Sequence, residues 1–218
     1  MSGETFMLSF IAAVYNEEQE ASDLFNHVFN LVDDYYICDD GSTDKTLDIL
    51  KAWAENLPGT FHYKTIEHTG LPETVKNEAK EMVPDASWIL MLDADERLDQ
   101  HVFAEIKDFF NSGESENWDF VYFNQFEMID GIHVRTFQKA KLFRKQAIAF
   151  PLHNIHADDQ FIGDGTYFAE WIVYHRKTST KQKQRELEYL HTYDKLLKEG
   201  SIDEGRRSWL RSLHHYFK

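Results

Sequence analysis

The first hundred residues alternate between short apolar runs and stretches with apolar residues at helical spacing. Residues 6–14 are apolar almost throughout and then meet Tyr15, Asn16 and two glutamates, which is typical of a buried strand that leads into a helix with Asn16 as its N-cap. The same alternation predicts further strands at 35–38, 61–67 and 87–92 and helices at 21–31, 47–57 and 73–83. We therefore expect an α/β fold with a mostly parallel sheet flanked by helices and with right-handed crossovers.

The second half of the chain has a different pattern, with apolar and aromatic runs at 120–126, 141–143 and 171–174. Turn-like segments separate these runs, so a mixed and partly antiparallel extension of the sheet is expected. Residues 181–199 are predicted to form a helix that ends at Gly200, and Ser201 begins a capping-box pattern for a final helix. The pattern indicates one domain followed by a helical extension.

The acidic charge of the chain is concentrated in its first hundred residues. All of the net −15 over 218 residues lies there, because the rest of the chain carries equal numbers of acids and bases. An acidic surface repels the phosphates of nucleic acids and attracts divalent cations. A nucleic-acid partner is therefore disfavoured, and a cation site is favoured.

Cysteine content and hydropathy bear on the compartment. The single cysteine, Cys38, cannot form an internal disulfide, and no basic and apolar leader opens the chain. The longest apolar runs fall far short of the roughly 20 residues that a membrane helix needs. We therefore expect a cytoplasmic protein without a transmembrane segment. A basic run at 176–185 leaves open a contact with a diphosphate or an anionic membrane surface, although such runs are more often a solvated helix start.

Acidic side chains follow two of the predicted strands at the point where each strand ends. Asp39 and Asp40 come after the second strand, and Asp93 and Asp95 come after the fourth. The carboxyl ends of parallel strands meet at one edge of the sheet, where ligands of such folds bind. Carboxylate oxygens are the ligands that Mg²⁺ and Mn²⁺ prefer, often together with substrate phosphates. The sequence therefore predicts a cation site at this edge, with helix capping as the alternative role of Asp39 and Asp40.

Four motifs occur in a fixed order, namely AVYNEE at 13–18, DDGSTD at 39–44, KN at 76–77 and DADE at 93–96. In this order and spacing they resemble the family-two, inverting glycosyltransferases of the GT-A fold, although Ala13 stands where many members have Pro. Residues 141–145 and 155–158 resemble segments of the non-processive bacterial members that modify lipopolysaccharide. The resemblance implies a Rossmann-like sheet with a mixed acceptor-side extension and C-terminal helices.

The resemblance also implies an activity and a division of the chain. One sugar would move from a nucleotide-sugar donor to a hydroxyl of a glycan or glycoconjugate, with a UDP-sugar as the default donor and GDP- and dTDP-sugars left open. Residues 1–100 would be the nucleotide-sugar-binding half, 101–180 the acceptor-binding and catalytic half of the same domain, and 181–218 a C-terminal helical extension.

Roles for individual residues follow from the same resemblance. The turns after the first two strands hold the base and ribose in the family, and a basic residue with Asn lies near the nucleotide. The implied nucleotide-sugar ligands are Ala13, Tyr15, Glu17, Asp39, Asp40, Lys76, Asn77, Asp93 and Ala94. Asp95 is the implied ligand of Mn²⁺ or Mg²⁺, and His175 completes the metal shell, contacts the diphosphate or is a structural histidine. Such an ion acts as a Lewis acid for the departing diphosphate.

The general base of the family is missing from its expected place. Inverting members use a carboxylate to take the proton of the acceptor hydroxyl, and Ala157 stands at that position here. Asp158 is the first candidate for the base, with Asp159 and His156 as alternatives. Because Ala157 replaces the usual base, a non-catalytic module that binds nucleotide sugars or glycans remains an alternative function. A nucleotidyltransferase is disfavoured, because the turn after the first strand is acidic where such an enzyme has a Gly-rich, basic loop.

Overall fold

A computed structural model describes residues 7–85, 87–150 and 160–199 of the chain. The strands are β1 (Leu8–Val14), β2 (Asp34–Asp39), β3 (Phe61–Thr65), β4 (Trp88–Met91), β5 (Glu96–Leu98), β6 (Phe120–Ile129), β7 (Ile132–Arg144), β8 (Ile148–Ala149), β9 (Gln160–Phe161) and β10 (Thr166–Lys177). The helices are α1 (Ala21–Val28), α2 (Thr46–Asn56), α3 (Pro72–Met82), α4 (Val102–Asn111) and α5 (Ser179–Lys198). Short 3-10 turns lie at Glu114–Asn117 and Lys145–Ala147.

Eight of the strands form one mixed sheet in the order β3-β2-β1-β4-β7-β6-β10-β5. The strands β3, β2, β1 and β4 run parallel to one another, as the alternation of strands and helices predicts. The strand β7 is antiparallel to both β4 and β6, and β10 is parallel to β6 and antiparallel to β5. The expected α/β fold with a mixed extension is therefore confirmed. The parallel half places the carboxyl ends of β1, β2 and β4 at one edge.

Two apolar clusters cover the two faces of the sheet. Alternate residues of β1 enter different clusters, because successive side chains of a strand point to opposite faces. Phe10 packs with Phe25 of α1, whereas Ile11 packs with Val75 of α3, and all four side chains are buried. Full burial of each such side chain contributes about 1.5–3 kcal/mol. The parallel strands that carry the site are thus held rigidly between helices.

The expected N-cap at Asn16 is wrong. The helix α1 begins only at Ala21, and Asn16 instead has φ +53, in the left-handed region that asparagine tolerates better than most residues. Its backbone N–H donates to Ser42 Oγ at 2.9 Å, and its Oδ1 accepts the Thr43 N–H at 2.8 Å. Asn16 therefore joins the turn after β1 to the turn after β2, a role that depends on residues far away in the sequence.

The last described element of the chain is a long helix. The helix predicted at 181–199 is observed as α5, whereas the final helix predicted from Ser201 lies outside the described residues. In the described part of the chain, no helix is both long and apolar enough to span a bilayer.

Candidate functional site

The turns after β1 and β2 form the first wall of the candidate site. The Glu17 N–H donates to Thr46 Oγ1 at 2.7 Å, which adds to the bonds that Asn16 makes. Asp39 is fully buried and accepts the Ser42 N–H at 3.2 Å, while Gly41 turns the chain with φ +70. Asp39 thus holds the turn together but does not cap a helix, because α2 begins only at Thr46 with Lys45 as its N-cap.

Asp40 is bound by the loop that follows β3. Its Oδ1 accepts hydrogen bonds from the Thr69 N–H at 2.7 Å and the Thr69 hydroxyl at 3.0 Å, and its Oδ2 accepts the Gly70 N–H at 3.1 Å. The His68 ring lies 3.0 Å from Asp40 Oδ2 and stacks on the Tyr15 ring with centroids 4.1 Å apart. The structure therefore brings Tyr15 and Asp40 together through His68, a residue that sequence reasoning missed.

A buried ion pair holds the turn after β4. Glu96 Oε2 accepts the Asp93 N–H at 2.9 Å, and Lys141 of β7 donates to both oxygens of Glu96 at 2.6 and 2.5 Å. The Glu96 side chain is 0% exposed and that of Lys141 is 1% exposed. Because Lys141 holds both of its oxygens, Glu96 is fixed in the position where it accepts the Asp93 N–H of the turn. Sequence reasoning placed Lys141 in a family-like motif but assigned it no role.

Asp95 and His175 face each other across the turn. Asp95 Oδ1 lies 3.1 Å from His175 Nε2, and Nδ1 of the same ring lies 2.8 Å from the side-chain amide of Gln125. Burial by itself raises the pKa of Asp95, but His175 beside it outweighs burial and lowers the pKa to about 2. Asp95 is therefore an ionised carboxylate in a buried site. A pairing of Asp95 with a histidine 80 residues later in the chain is visible only in the folded protein.

Asp93 lies beside a lysine of α3. Its Oδ1 is 3.5 Å from Lys76 Nζ, and Lys76 is itself buried. Burial acts to raise the pKa of Asp93, yet the positive charges of Lys76 and then Lys141 hold it well below its ordinary value. Asn77 is the next residue of α3 and is half-buried. The KN motif thus places one cation at the DADE turn.

The helix α5 brings two cations to the turn after β1. Lys181 Nζ donates to Glu17 Oε2 at 2.5 Å, and Arg185 donates to Glu17 Oε1. Burial alone lowers the pKa of Arg185, but the Glu17 carboxylate outweighs burial and raises it. A cleft of about 320 Å³ beside this contact is lined by His68, Gln184, Leu187, Glu188, His191 and Thr192. The C-terminal part of the basic run at 176–185 is therefore folded onto the candidate site.

The side chains around Asp95 fit a divalent ion. Single ligand atoms of Asp93, Glu96 and His175 lie within 4.8 Å of one another, but Glu96 is already bound by Lys141. Asp95 adjoins this group through His175, so Asp93, Asp95 and His175 are the side chains that border a position for an ion. The 3.1 Å between Asp95 Oδ1 and His175 Nε2 is close to the spacing of about 3 Å between adjacent ligands of an octahedral ion. Oδ1 of Asp95 is buried and no described donor meets hydrogen-bond geometry there, so a ligand position is open.

Gln125 stands behind the histidine of this set. Its side-chain nitrogen lies 2.8 Å from Nδ1 of His175 and so orients the ring with Nε2 toward Asp95. Gln125 itself is buried. The local sequence does not indicate a functional role for Gln125, since β6 has the alternating pattern of many half-buried strands.

The remaining residues of the expected site divide into two groups. Ala13 is half-buried at the end of β1, and Ala94 is buried with its carbonyl accepting the Arg97 guanidinium at 2.7 Å. The two candidate catalytic residues, His156 and Asp158, lie outside the described residues together with Ala157 and Asp159. The geometry of the general base is therefore left as a prediction.

Comparison with known proteins adds a family and a fold. The profile of Glycosyl transferase family 2 matches residues 9–169. The crystal structure of S. aureus TarS 1-349 in complex with UDP-GlcNAc is 14% identical, with a TM-score of 0.57 over 94% of this chain and 70% of that one. The mannosyltransferase PcManGT from Pyrobaculum calidifontis, in complex with GDP-Man and Mn2+, is also 14% identical, with a TM-score of 0.57 over 98% and 70% of the two chains.

A longer S. aureus TarS structure is similar with a TM-score of 0.63, and this chain spans 42% of its length. A comparison with curated protein sequences gives no match. At these low identities, likeness to solved structures establishes a shared fold. The family profile covers well over half of the chain and includes the turns after β1, β2 and β4. The chain is thus a glycosyltransferase with the GT-A fold, and it belongs to glycosyl transferase family 2.

Proposed function

We propose that this glycosyltransferase moves a single sugar from a nucleotide-sugar donor, first of all a UDP-sugar, to a hydroxyl of a glycan or glycoconjugate. The reaction inverts the anomeric centre and depends on Mn²⁺ or Mg²⁺. The observation that carries the proposal is the cluster of ligand atoms of Asp93, Glu96 and His175 within 4.8 Å of one another, with Asp95 Oδ1 3.1 Å from His175 Nε2. The structures of TarS with UDP-GlcNAc and of PcManGT with GDP-Man and Mn2+ support a donor and an ion of this kind.

The base and ribose of the donor are proposed to lie at the turns after β1 and β2. Tyr15 offers the face of an aromatic ring, which is now covered by His68, and a nucleobase would take the place of the imidazole. Ala13, Glu17 and Asp40 border the same place, and Asp39 keeps the turn in shape from behind. The Asp40 carboxylate is fully engaged by the loop after β3, so that loop and the base-binding turn would move as one unit.

The charged end of the donor is proposed to lie between the DADE turn and the basic side chains. Asp93, Asp95 and His175 would hold the divalent ion, which when bound neutralises the departing diphosphate. Lys76 and the two cations of α5, Lys181 and Arg185, would screen the charge of the same phosphates. In the structure Lys76 pairs with Asp93, and the two cations of α5 pair with Glu17. Ala94 and Asn77 would complete the walls by backbone and amide contacts.

The proton of the acceptor hydroxyl is proposed to pass to Asp158, with Asp159 and His156 as the alternatives. All three belong to the half of the chain that follows the donor turns, which is where an inverting enzyme needs its base. The proposed subtype is the lipopolysaccharide-modifying type. The proposed location is the cytoplasm, with an optional peripheral contact with a membrane. The division at residues 100 and 180 belongs to the same proposal.

The test of the proposed function compares variants in a transfer assay with a panel of UDP-, GDP- and dTDP-sugars at saturating Mn²⁺. Asp95→Asn removes a ligand charge and is expected to reduce turnover at least about a hundredfold, because a divalent ion supplies several kcal/mol of charge stabilisation. Asp48→Asn, on the exposed face of α2, is the matched control and should behave as wild type. Unchanged turnover in Asp95→Asn would overturn the metal assignment.

A second candidate function is a non-catalytic nucleotide-sugar or glycan-binding module. The observation that favours it is Ala157 at the family position of the base. It predicts that nucleoside diphosphates stabilise the protein against heat, as ligands of the native state do, without any turnover. Asp158→Asn decides between the two, because loss of transfer with unchanged donor affinity excludes the module.

A further inference from the structure

The helix α5 contacts two separate segments of the candidate site. Near its start, Lys181 and Arg185 pair with the Glu17 carboxylate in the turn after β1. Farther along the same helix, Thr192 lies against Gly70, in the loop that follows β3. Both segments belong to the part of the molecule that is proposed to bind the base and ribose of the donor. A single helix, which follows β10 directly in the chain, therefore lies over the donor turns.

Glu17 is buried, and α5 holds both of its oxygens. The Glu17 side chain is 1% exposed, whereas those of Lys181 and Arg185 are 33% and 35% exposed. Lys181 donates to one carboxylate oxygen and Arg185 donates to the other. A buried carboxylate needs such partners, because a charge that is withdrawn from water and left unpaired is costly. These two ion pairs therefore hold α5 against the turn after β1.

The loop after β3 is held both by Asp40 and by α5. Asp40 accepts the Gly70 N–H, and the His68 ring two residues earlier covers one face of the Tyr15 ring. A Cβ atom added to Gly70 would lie 2.6 Å from Thr192 Oγ1, so the backbone of the loop and α5 approach as closely as a glycine allows. A nucleobase can replace the His68 ring only if this loop moves. Because α5 stands against the loop, the movement requires α5 to move as well.

We propose that α5 is a latch on the donor site, which is closed by its contacts with Glu17 and Gly70 and has to open before a nucleotide sugar can enter. The latch rests on the proposed function, since the turn after β1 and the loop after β3 would carry the base and ribose. In the closed position α5 occupies the Glu17 carboxylate and blocks the movement of the loop that carries His68. A donor then binds only the fraction of molecules in which α5 is open, and its apparent affinity falls by that fraction.

A disulfide between the loop and α5 tests the latch in the full chain. Cβ atoms at positions 70 and 192 would lie 3.6 Å apart, within the range of about 3.5–4.5 Å that is typical of disulfides. The variant carries Gly70→Cys and Thr192→Cys, and calorimetry compares UDP binding by its diamide-oxidised form and its dithiothreitol-reduced form. The oxidised form should bind UDP at least about tenfold more weakly. Both forms share any strain of a side chain at φ +65, so the comparison isolates the crosslink.

Two controls accompany the crosslink. Thr192→Cys alone, treated with the same oxidant, should bind UDP as well as its reduced form does. The natural thiol should not interfere, because Cys38 is buried and burial raises its pKa to about 12. Circular dichroism checks that the oxidised and reduced forms are equally folded.

Amide hydrogen exchange of α5 gives a second measurement that does not need the crosslink. Glu17→Gln removes the charge that holds Lys181 and Arg185, so amides of α5 should exchange at least about tenfold faster than in wild type. Glu105→Gln removes an exposed glutamate of α4 and should leave the exchange of α5 unchanged.

The outcomes separate the latch from the function on which it rests. Weaker UDP binding after oxidation, together with faster exchange of α5 in Glu17→Gln, supports the latch. If the oxidised form binds UDP as tightly as the reduced form, α5 does not control entry and the proposal is overturned. Equal exchange of α5 in Glu17→Gln and wild type overturns it as well, whether or not the crosslink forms. If wild type and the reduced variant bind none of UDP, GDP and dTDP, the proposed function fails, and the latch fails with it.

Discussion

The buried ion pair of Glu96 and Lys141 makes a quantitative prediction about stability. Lys141→Met keeps most of the side-chain volume but leaves the Glu96 carboxylate without a cation, in a place where neither side chain is more than 1% exposed. Two hydrogen bonds of 2.6 and 2.5 Å are lost with the charge. Breaking a buried pair from one side costs about 3–5 kcal/mol. For a chain of 218 residues this corresponds to a fall in Tm of roughly 6–20 °C.

Urea unfolding of Lys141→Met, Glu96→Gln and the double variant completes a thermodynamic cycle. The double variant removes both charges, and the amide introduced by Glu96→Gln keeps an oxygen that accepts the Asp93 N–H. Its loss of stability should therefore be smaller than the sum of the single losses by at least about 2 kcal/mol. An unchanged m-value shows that stability itself has changed. A loss below about 1 kcal/mol for Lys141→Met, or strict additivity in the cycle, would refute the reasoning that this pair supports the turn.

Three further predictions concern a turn, the buried carboxylate of Glu127 and the donor. Gly41→Ala should lower the free energy of unfolding by about 2 kcal/mol in thermal unfolding, because φ is +70 and the new Cβ would lie 3.0 Å from the backbone nitrogen of His68. Gly59→Ala is the control and should cost less, because its new Cβ would have no atom within 4 Å. Burial opposes ionisation of Glu127, but Lys177 and Arg135 outweigh it and lower its pKa. Above about pH 4.3, wild type should therefore be more stable than Glu127→Gln, by about 1–2 kcal/mol at neutral pH, and it should lose this advantage as the pH falls through the lowered pKa. Urea unfolding at several pH values measures the difference, and a difference that does not change with pH would contradict the prediction. Tyr15→Ala should weaken UDP binding about tenfold while Tyr15→Phe does not, and equal calorimetric affinities for the two variants would count against stacking.

The local pattern of the chain was enough to predict most of the fold. Strands β1 to β4 and helices α2, α3 and α5 begin and end within a few residues of their predicted positions, because alternating and helical periodicities are properties of short segments. The error at Asn16 has the opposite cause. A local rule favoured a cap, but the side chain bonds to Thr43 and the backbone to Ser42, and no local rule contains a partner 26 residues away.

The sequence by itself determined the parallel half of the sheet, the acidic turns at its edge and the family, because these depend on short motifs and their order. Only the tertiary structure decided how the acids are balanced. Asp95 meets His175, Glu96 meets Lys141 and Glu17 meets Lys181 and Arg185, and in each case an acid of the first hundred residues pairs with a basic residue from the later part of the chain. The strand order brings β7 and β10 beside the donor turns, and electrostatic attraction acts over ångströms in space, whatever the distance along the chain. An acidic half and a charge-balanced half thereby become one site, in which acids of the first are paired with bases of the second.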